Sequence, residues 1–184
     1  MRGKSHVITN TAIASVVTSA VFLFSTRTVY AGTIYHEVSN KICDVFLNNG
    51  QIPLLIFLPV AVFMFVLGSL LPDIDHPHSA IGRYIHLPIA HRTWTHALWL
   101  PIGFMILGYW YAWGFWIAAG YLGHLFWDSL SATGIQWLYP KKNTKHSLKL
   151  YHTSQASEYV LVTLVTIASI AADAYILYTF FHLL

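Results

Sequence analysis

From Ile52 to Leu71 the chain runs for roughly 20 residues without one charged side chain, the length at which a helix crosses about 30 Å of hydrocarbon. Three more apolar stretches accompany it: Val7 to Phe24 continuing toward Val29, Ala97 to about Trp127, and Tyr159 to Leu183, the last broken by the single acid Asp173. Charged residues make up only 9% of the sequence, against roughly 25% in ordinary globular proteins. Such a chain can neither coat a soluble globule nor stay disordered. Residues 1–184 therefore read as a single integral-membrane domain.

The stretch from Ala97 to Trp127 is too long for one crossing and is expected to turn near Tyr109 to Gly114. The fold class expected is thus all-α, a polytopic transmembrane helix bundle of about five spans. Lys and Arg set its orientation. With the N-terminus in the cytoplasm, the inner segments hold Arg2, Lys4, Arg83, Arg92, Lys141, Lys142, Lys145 and Lys149, and the outer ones only Arg27 and Lys41. Arg2 and Lys4 ahead of an apolar run, with Val29-Tyr30-Ala31 behind it, also fit a signal peptide, the weaker reading because the run is long. Ile34, Val38, Ile42 and Val45 fall at helical spacing, as in a helix lying along the outer interface. The basic stretch 141–158 is expected on the cytoplasmic surface against anionic head groups, or folded over the functional site as a lid.

Composition also removes function classes. A net charge of +3, spread along the chain, does not describe a nucleic-acid binder. One cysteine, Cys43, rules out a disulfide framework and a cysteine-built zinc site. The histidine count of 11 exceeds the 7 acids, and polar side chains are costly in such a chain, so the histidines mark the place to look for function.

On the expected topology they converge. His6 precedes the first span; Asp73, Asp75 and His76 follow the second; His91 and His96 lead into the third; His124 and Asp128 end the fourth. All of these fall at the inner ends of the helices, while the outer ends offer only His36, Glu37 and Asp44. His124 and Asp128, at i and i+4, share one helix face and can chelate one ion. His91 and His96 are five apart, so a helix is expected to begin between them, capped by Thr93 or Thr95. Asp73 and Asp75 lie between Pro72 and Pro77, which predicts a rigid extended loop. Any one of these histidines alone reads as an interfacial anchor, and His124 with Asp128 alone as a pair locking two helices; together they point to a metal.

Imidazole and carboxylate without thiolate suit zinc, manganese or iron. Zinc leads, as one or two ions bound by His6, Asp73, His76, His91, His96, His124 and Asp128. Paired ions are the usual apparatus of phosphoester hydrolysis. Arg92 then reads as a phosphate clamp or a positive-inside anchor, and Asp75 as a ligand, an orienting partner or the general base.

Leu71-Pro72-Asp73-Ile74-Asp75-His76-Pro77, His91-Arg92-x-x-Thr95-His96 and Gly123-His124-x-x-x-Asp128-Ser129-Leu130 resemble the signature blocks of the YdjM-like family. His6, Gly134 and the Trp137-to-Pro140 ending match as well, so the resemblance covers about residues 1 to 140. It implies an inner-membrane, metal-dependent hydrolase. Thr93, Ala97 and Ser131 depart from the family pattern without removing a candidate ligand. The His-x-x-x-Asp pair is also similar, more loosely, to that of zinc-dependent phospholipases C. The expected partner is a membrane lipid or other amphiphile, with its head group at the metal. The rival class is a non-enzymatic membrane protein that binds or transports a metal ion; a scaffold whose polar cluster only fixes helix packing is a third. The oligomeric state is left open.

Overall fold

The computed structural model describes residues 3–31, 54–85, 87–142 and 144–182. The surface helix expected over 34–46 lies outside the described residues, as do His36, Glu37, Asp44 and His86. Among the described residues the fold has five α-helices: α1 (Gly3–Ala31), α2 (Leu54–Leu70), α3 (Trp99–Gly108), α4 (Trp113–Leu130) and α5 (Ala156–His182). Two short 3-10 turns, Leu71–Asp75 and Trp94–His96, stand between α2 and α3. Among the described residues there is no β-strand, only isolated bridges between Ser131 and Tyr151 and between Ile135 and His146.

α4 is the central element. α2 and α3 both pack against it, and α1 touches α4 and α2 while its main partner is α5. The α2–α4 crossing is a backbone contact made possible by two glycines. A methyl group at Gly120 would run into the Phe65 carbonyl and lie 2.9 Å from the Ser69 amide, and one at Gly68 would collide with the Ile117 carbonyl. Asn10 of α1 fastens the third helix to this crossing, donating to Ser69 Oγ at 3.0 Å and to the Gly120 carbonyl at 3.3 Å.

α5 behaves as a membrane helix. Ala156–Thr179, 24 residues with a mean hydropathy of 2.1, is the one stretch among the described helices long and apolar enough to cross a membrane. Val160, Leu164, Ile167 and Ile170 all present more than half of their surface outward, the reverse of a soluble helix. α3, with 10 residues, is about 15 Å long and half as thick as the hydrocarbon layer. The third of the expected spans, short because of the turn placed near Tyr109 to Gly114, is a half-length helix. The loop and 3-10 turn that carry His91 and His96 use up the residues ahead of it, and the chain reverses at Tyr109 to Ala112, within the expected turn.

Past α4 the chain turns at Gly134, whose φ of 62° is in the left-handed region. Segment 144–151 then runs back along the end of α4: Leu148 and Leu150 donate backbone hydrogen bonds to the Ser129 and Leu130 carbonyls, and Ala132 donates to Tyr151. Tyr151 packs with Trp127 and Leu130 against Leu161, Val162 and Val165 of α5. The stretch 141–158 is thus partly a surface segment and partly a strap: its lysines are exposed, while Tyr151 and Glu158 are buried.

Gly120→Ala is expected to lower the thermal midpoint in detergent, at a cost of about 1–3 kcal/mol for forcing two helices apart. Gly103→Ala, where nothing lies within 4 Å of the added methyl, should be neutral or stabilising by up to about 1 kcal/mol. Equal midpoints for the two variants would contradict the close crossing.

Candidate metal centre

Helix geometry stacks His124 and Asp128 on one face of α4, where both are fully buried. His6 comes from the first turns of α1 and lies on His124, ring centroids 3.6 Å apart and planes inclined by 17°. Asp73 arrives from the 3-10 turn Leu71–Asp75, which Pro72 enters at a position that needs no amide hydrogen. That turn replaces the extended loop expected between the two prolines. His96 ends the second 3-10 turn, and His91 lies in the loop before it. Thr93 occupies the N-cap position of that turn but makes no side-chain capping bond.

Two groups of donors result, His6 with His124 and Asp128, and Asp73 with His91 and His96, each able to offer atoms within 4.8 Å of one another. They adjoin. His96 Nε2 lies 3.8 Å from Asp73 Oδ1 and 3.5 Å from Asp128 Oδ2, and His124 Nε2 lies 3.6 Å and 3.8 Å from the same two oxygens. Four donors about 2.0–2.1 Å from a tetrahedral zinc would be about 3.3–3.4 Å apart, and these four nitrogen-to-oxygen separations exceed that by about half an ångström or less. His6 Nε2 approaches Asp128 Oδ1 to 3.3 Å.

The outer nitrogens decide which atoms this cluster could offer to an ion. His124 Nδ1 donates to the Ser69 carbonyl at 2.7 Å. His91 Nδ1 donates to Asp75 Oδ1 at 2.7 Å. The Thr95 hydroxyl gives its one proton to Asp75 Oδ2, so it accepts from His96 Nδ1 at 2.9 Å. With Nδ1 committed as a donor, Nε2 is the nitrogen each ring presents inward, as in metal-bound histidines held by a carboxylate or carbonyl. His96 Nε2, His124 Nε2 and both nitrogens of His6 are buried without a hydrogen-bond partner; their approaches to the carboxylates are too long or too poorly aligned to count as one. Buried polar atoms are rarely left so, and a cation beside the carboxylates could take up His96 Nε2, His124 Nε2 and one nitrogen of His6. The residues therefore fit a metal ion, which these buried His and Asp groups could hold.

Asp75 touches His91, Thr95, His96 and the Arg92 amide, and belongs to neither donor group. Burial would raise its carboxyl, but the hydrogen bonds from His91, His96 and Thr95 outweigh that and hold it below the ordinary carboxylate range. Arg92, at a φ of 63°, also faces inward: it donates to Asp128 Oδ1, Ser131 Oγ and the Gly134 carbonyl, each at 3.1 Å, and to Thr133 Oγ1. Both terminal nitrogens of the expected phosphate clamp are thus engaged within the protein. His76 stands at the margin, its ring 5.1 Å from that of His91, and its Nδ1 accepts the His78 amide at 3.3 Å. In the stretch 141–158, expected as a surface segment or lid, His146 and His152 are exposed, whereas Glu158 is buried at the start of α5. The Ser69 carbonyl was beyond sequence reasoning, since a backbone acceptor leaves no mark in composition or spacing.

Burial works against a charged His96, but the Asp128 and Asp75 carboxylates outweigh it and push its pKa up to about 9. An incoming ion has to displace that proton. Zinc binding is expected to release protons at pH 7, and the affinity to fall about tenfold for each unit of pH below 9. Calorimetry in buffers of different ionisation enthalpy reads both, and a pH-independent affinity would exclude His96 from the ligands.

Comparison with known proteins follows the geometry. The inner membrane protein YdjM of Escherichia coli (strain K12) is 35% identical over 130 residues, a match covering 57% of this chain and 63% of that protein. YdjM of Shigella flexneri gives the same figures. The uncharacterized protein YvsG of Bacillus subtilis (strain 168) is 32% identical over 127 residues, 62% of this chain and 76% of its own length. The match therefore spans less than two thirds of the two YdjM proteins. No solved structure matches the chain. The profile described as YdjM inner membrane protein matches residues 1–184, and the chain belongs to that family.

Proposed function

We propose that this protein is a membrane-embedded, metal-dependent hydrolase acting at the cytoplasmic interface on a phosphoester of a lipid or another amphiphile. The observation that carries the metal part is the set of buried imidazole nitrogens turned on Asp73 and Asp128 with no hydrogen-bond partner. Zinc is the preferred ion and manganese or iron the alternatives, because the donors are nitrogen and oxygen without thiolate. Two adjoining donor groups suit two ions a few ångströms apart, the arrangement used for phosphoester hydrolysis. Bound there, such ions would supply an acidified water and take up charge developing on the phosphoryl oxygens.

The chain's own residues have separate tasks in this reading. His6, Asp73, His91, His96, His124 and Asp128 hold the ions, with His76 at the outer margin. Asp75 orients His91 and His96 and keeps their Nδ1 atoms protonated. Arg92 fixes the free rotation of Asp128 and ties the end of α4 to the site. Its position still leaves it beside any head group that reaches Asp128. The excess of Lys and Arg in the segments that carry the site supports a cytoplasmic side for it. The transport alternative would require donors continuing through the membrane. Asp173, about two thirds of the way along α5, meets Ser15 at 2.8 Å and belongs to neither donor group.

Metal content by mass spectrometry and hydrolysis of a panel of lipid phosphoesters test the proposal on detergent-purified protein. Wild type should hold one or two equivalents of a transition metal and cleave at least one substrate. Asp128→Ala should abolish both while retaining its helical circular dichroism. Asp75→Asn should weaken metal binding by about 10–100-fold, as loss of an orienting partner does. Normal turnover in Asp128→Ala would overturn the assignment, and a metal-loaded protein inert across the panel would leave only metal binding.

A further inference from the structure

Six histidines form one continuous file from the surface to the deepest point of the site. Ring centroids are 5.9 Å apart between His78 and His76, 5.1 Å between His76 and His91, and 5.0 Å between His91 and His96. The file continues at 5.4 Å from His96 to His124 and 3.6 Å from His124 to His6. Exposure falls along it. His78 is exposed and His76 half-buried, the His91 side chain keeps 35% of its surface, and His96, His124 and His6 have none.

We infer that His78 and His76 are the outer end of a loading route, along which a divalent cation is passed by ligand exchange through His91 into the buried donor groups. This rests on the metal-binding reading above. Two imidazoles that share an ion at about 2.0–2.1 Å have ring centroids up to about 6 Å apart, so neighbouring rings in the outer file are close enough to hold one ion between them. A hydrated cation cannot reach fully buried ligands intact, and shedding its water without replacement is prohibitively costly in a low-dielectric interior. Exchanging water for imidazole one ligand at a time avoids a bare ion. Among the donors of the two groups His91 is the exposed one, so it is the point at which the route meets the site. No bond to carbon forms or breaks, and the ion keeps its charge at every step.

A route changes rates and leaves the equilibrium alone. Full-length protein in detergent, stripped by a chelator, is mixed with zinc ions, and retained metal is followed against time by rapid desalting and mass spectrometry. The proteins compared are wild type, His78→Gln, the double variant His76→Ala/His78→Gln, and His152→Ala as an exposed histidine outside the file. The expected result is full final stoichiometry in all four. Loading of the double variant should slow by about tenfold or more, within the range by which a lined inlet raises on-rates. Release to excess chelator should slow by the same factor, His78→Gln should fall between, and His152→Ala should match wild type. Unchanged rates in the double variant would overturn the route. A lower final stoichiometry there would make His76 or His78 a permanent ligand and also overturn it. A wild type that takes up no metal would instead sink the metal-binding reading itself.

Discussion

The carboxylate of Asp128 is the point on which the polar interior depends. It lies 3.1 Å from the Arg92 guanidinium, 3.3 Å from His6, 3.5 Å from His96 and 3.8 Å from His124. These partners come from α1, α4, the loop after α2 and the turn before α3, so one buried negative charge gathers most of the chain's tertiary structure. A lone buried carboxylate is too costly to persist unpaired, and here the compensation comes from groups that are themselves buried. Arg92 supplies a permanent positive charge. His96 supplies one only while protonated, and that is the position a metal ion would take over.

A cluster of this kind needs helices that approach closely at the right height. Gly68 and Gly120 bring the α2 and α4 backbones into contact a turn below the site. That contact puts the Ser69 carbonyl within 2.7 Å of His124 Nδ1. Helix packing and the tautomer of a candidate ligand are therefore one constraint, because a larger residue at Gly120 would move the acceptor that fixes the ring. Asn10 adds the third helix to the same crossing and so carries α1, with His6 one turn earlier, into register.

Much of this could be read from the sequence, for physical reasons. Charge scarcity and apolar run length pointed to a helical membrane protein and placed α5 within a few residues, since a bilayer imposes one length on whatever crosses it. The i, i+4 spacing of His124 and Asp128 needed only helix geometry. The short α3 was foreshadowed by the turn expected near Tyr109 to Gly114, since only 12 residues run from Ala97 to Gly108. The roles of Asp75 and Arg92 were left as alternatives. Spacing places a carboxylate near a cluster, but whether it faces inward or holds the back of an imidazole is set by Thr95 and His91 in three dimensions. The strap 144–151 pairs with the end of α4 through backbone bonds, joined by the Ser147 hydroxyl donating to the Ser131 carbonyl and the Tyr151 hydroxyl donating to the Trp127 carbonyl, which the composition of that segment does not reveal.

The asymmetry of the site bears on its chemistry. Its deepest ligands come from α1 and α4, elements locked by close packing, while its exposed edge comes from the loop and turns between α2 and α3. Rigid elements hold geometry better than loops do, and loops admit ligands better than helices do. An ion bound here would be retained by the buried group of His6, His124 and Asp128 and exchanged at the group of Asp73, His91 and His96. In a two-ion site that division would put the substrate-facing position at His91 rather than at His6, because only there does the ligand shell open outward.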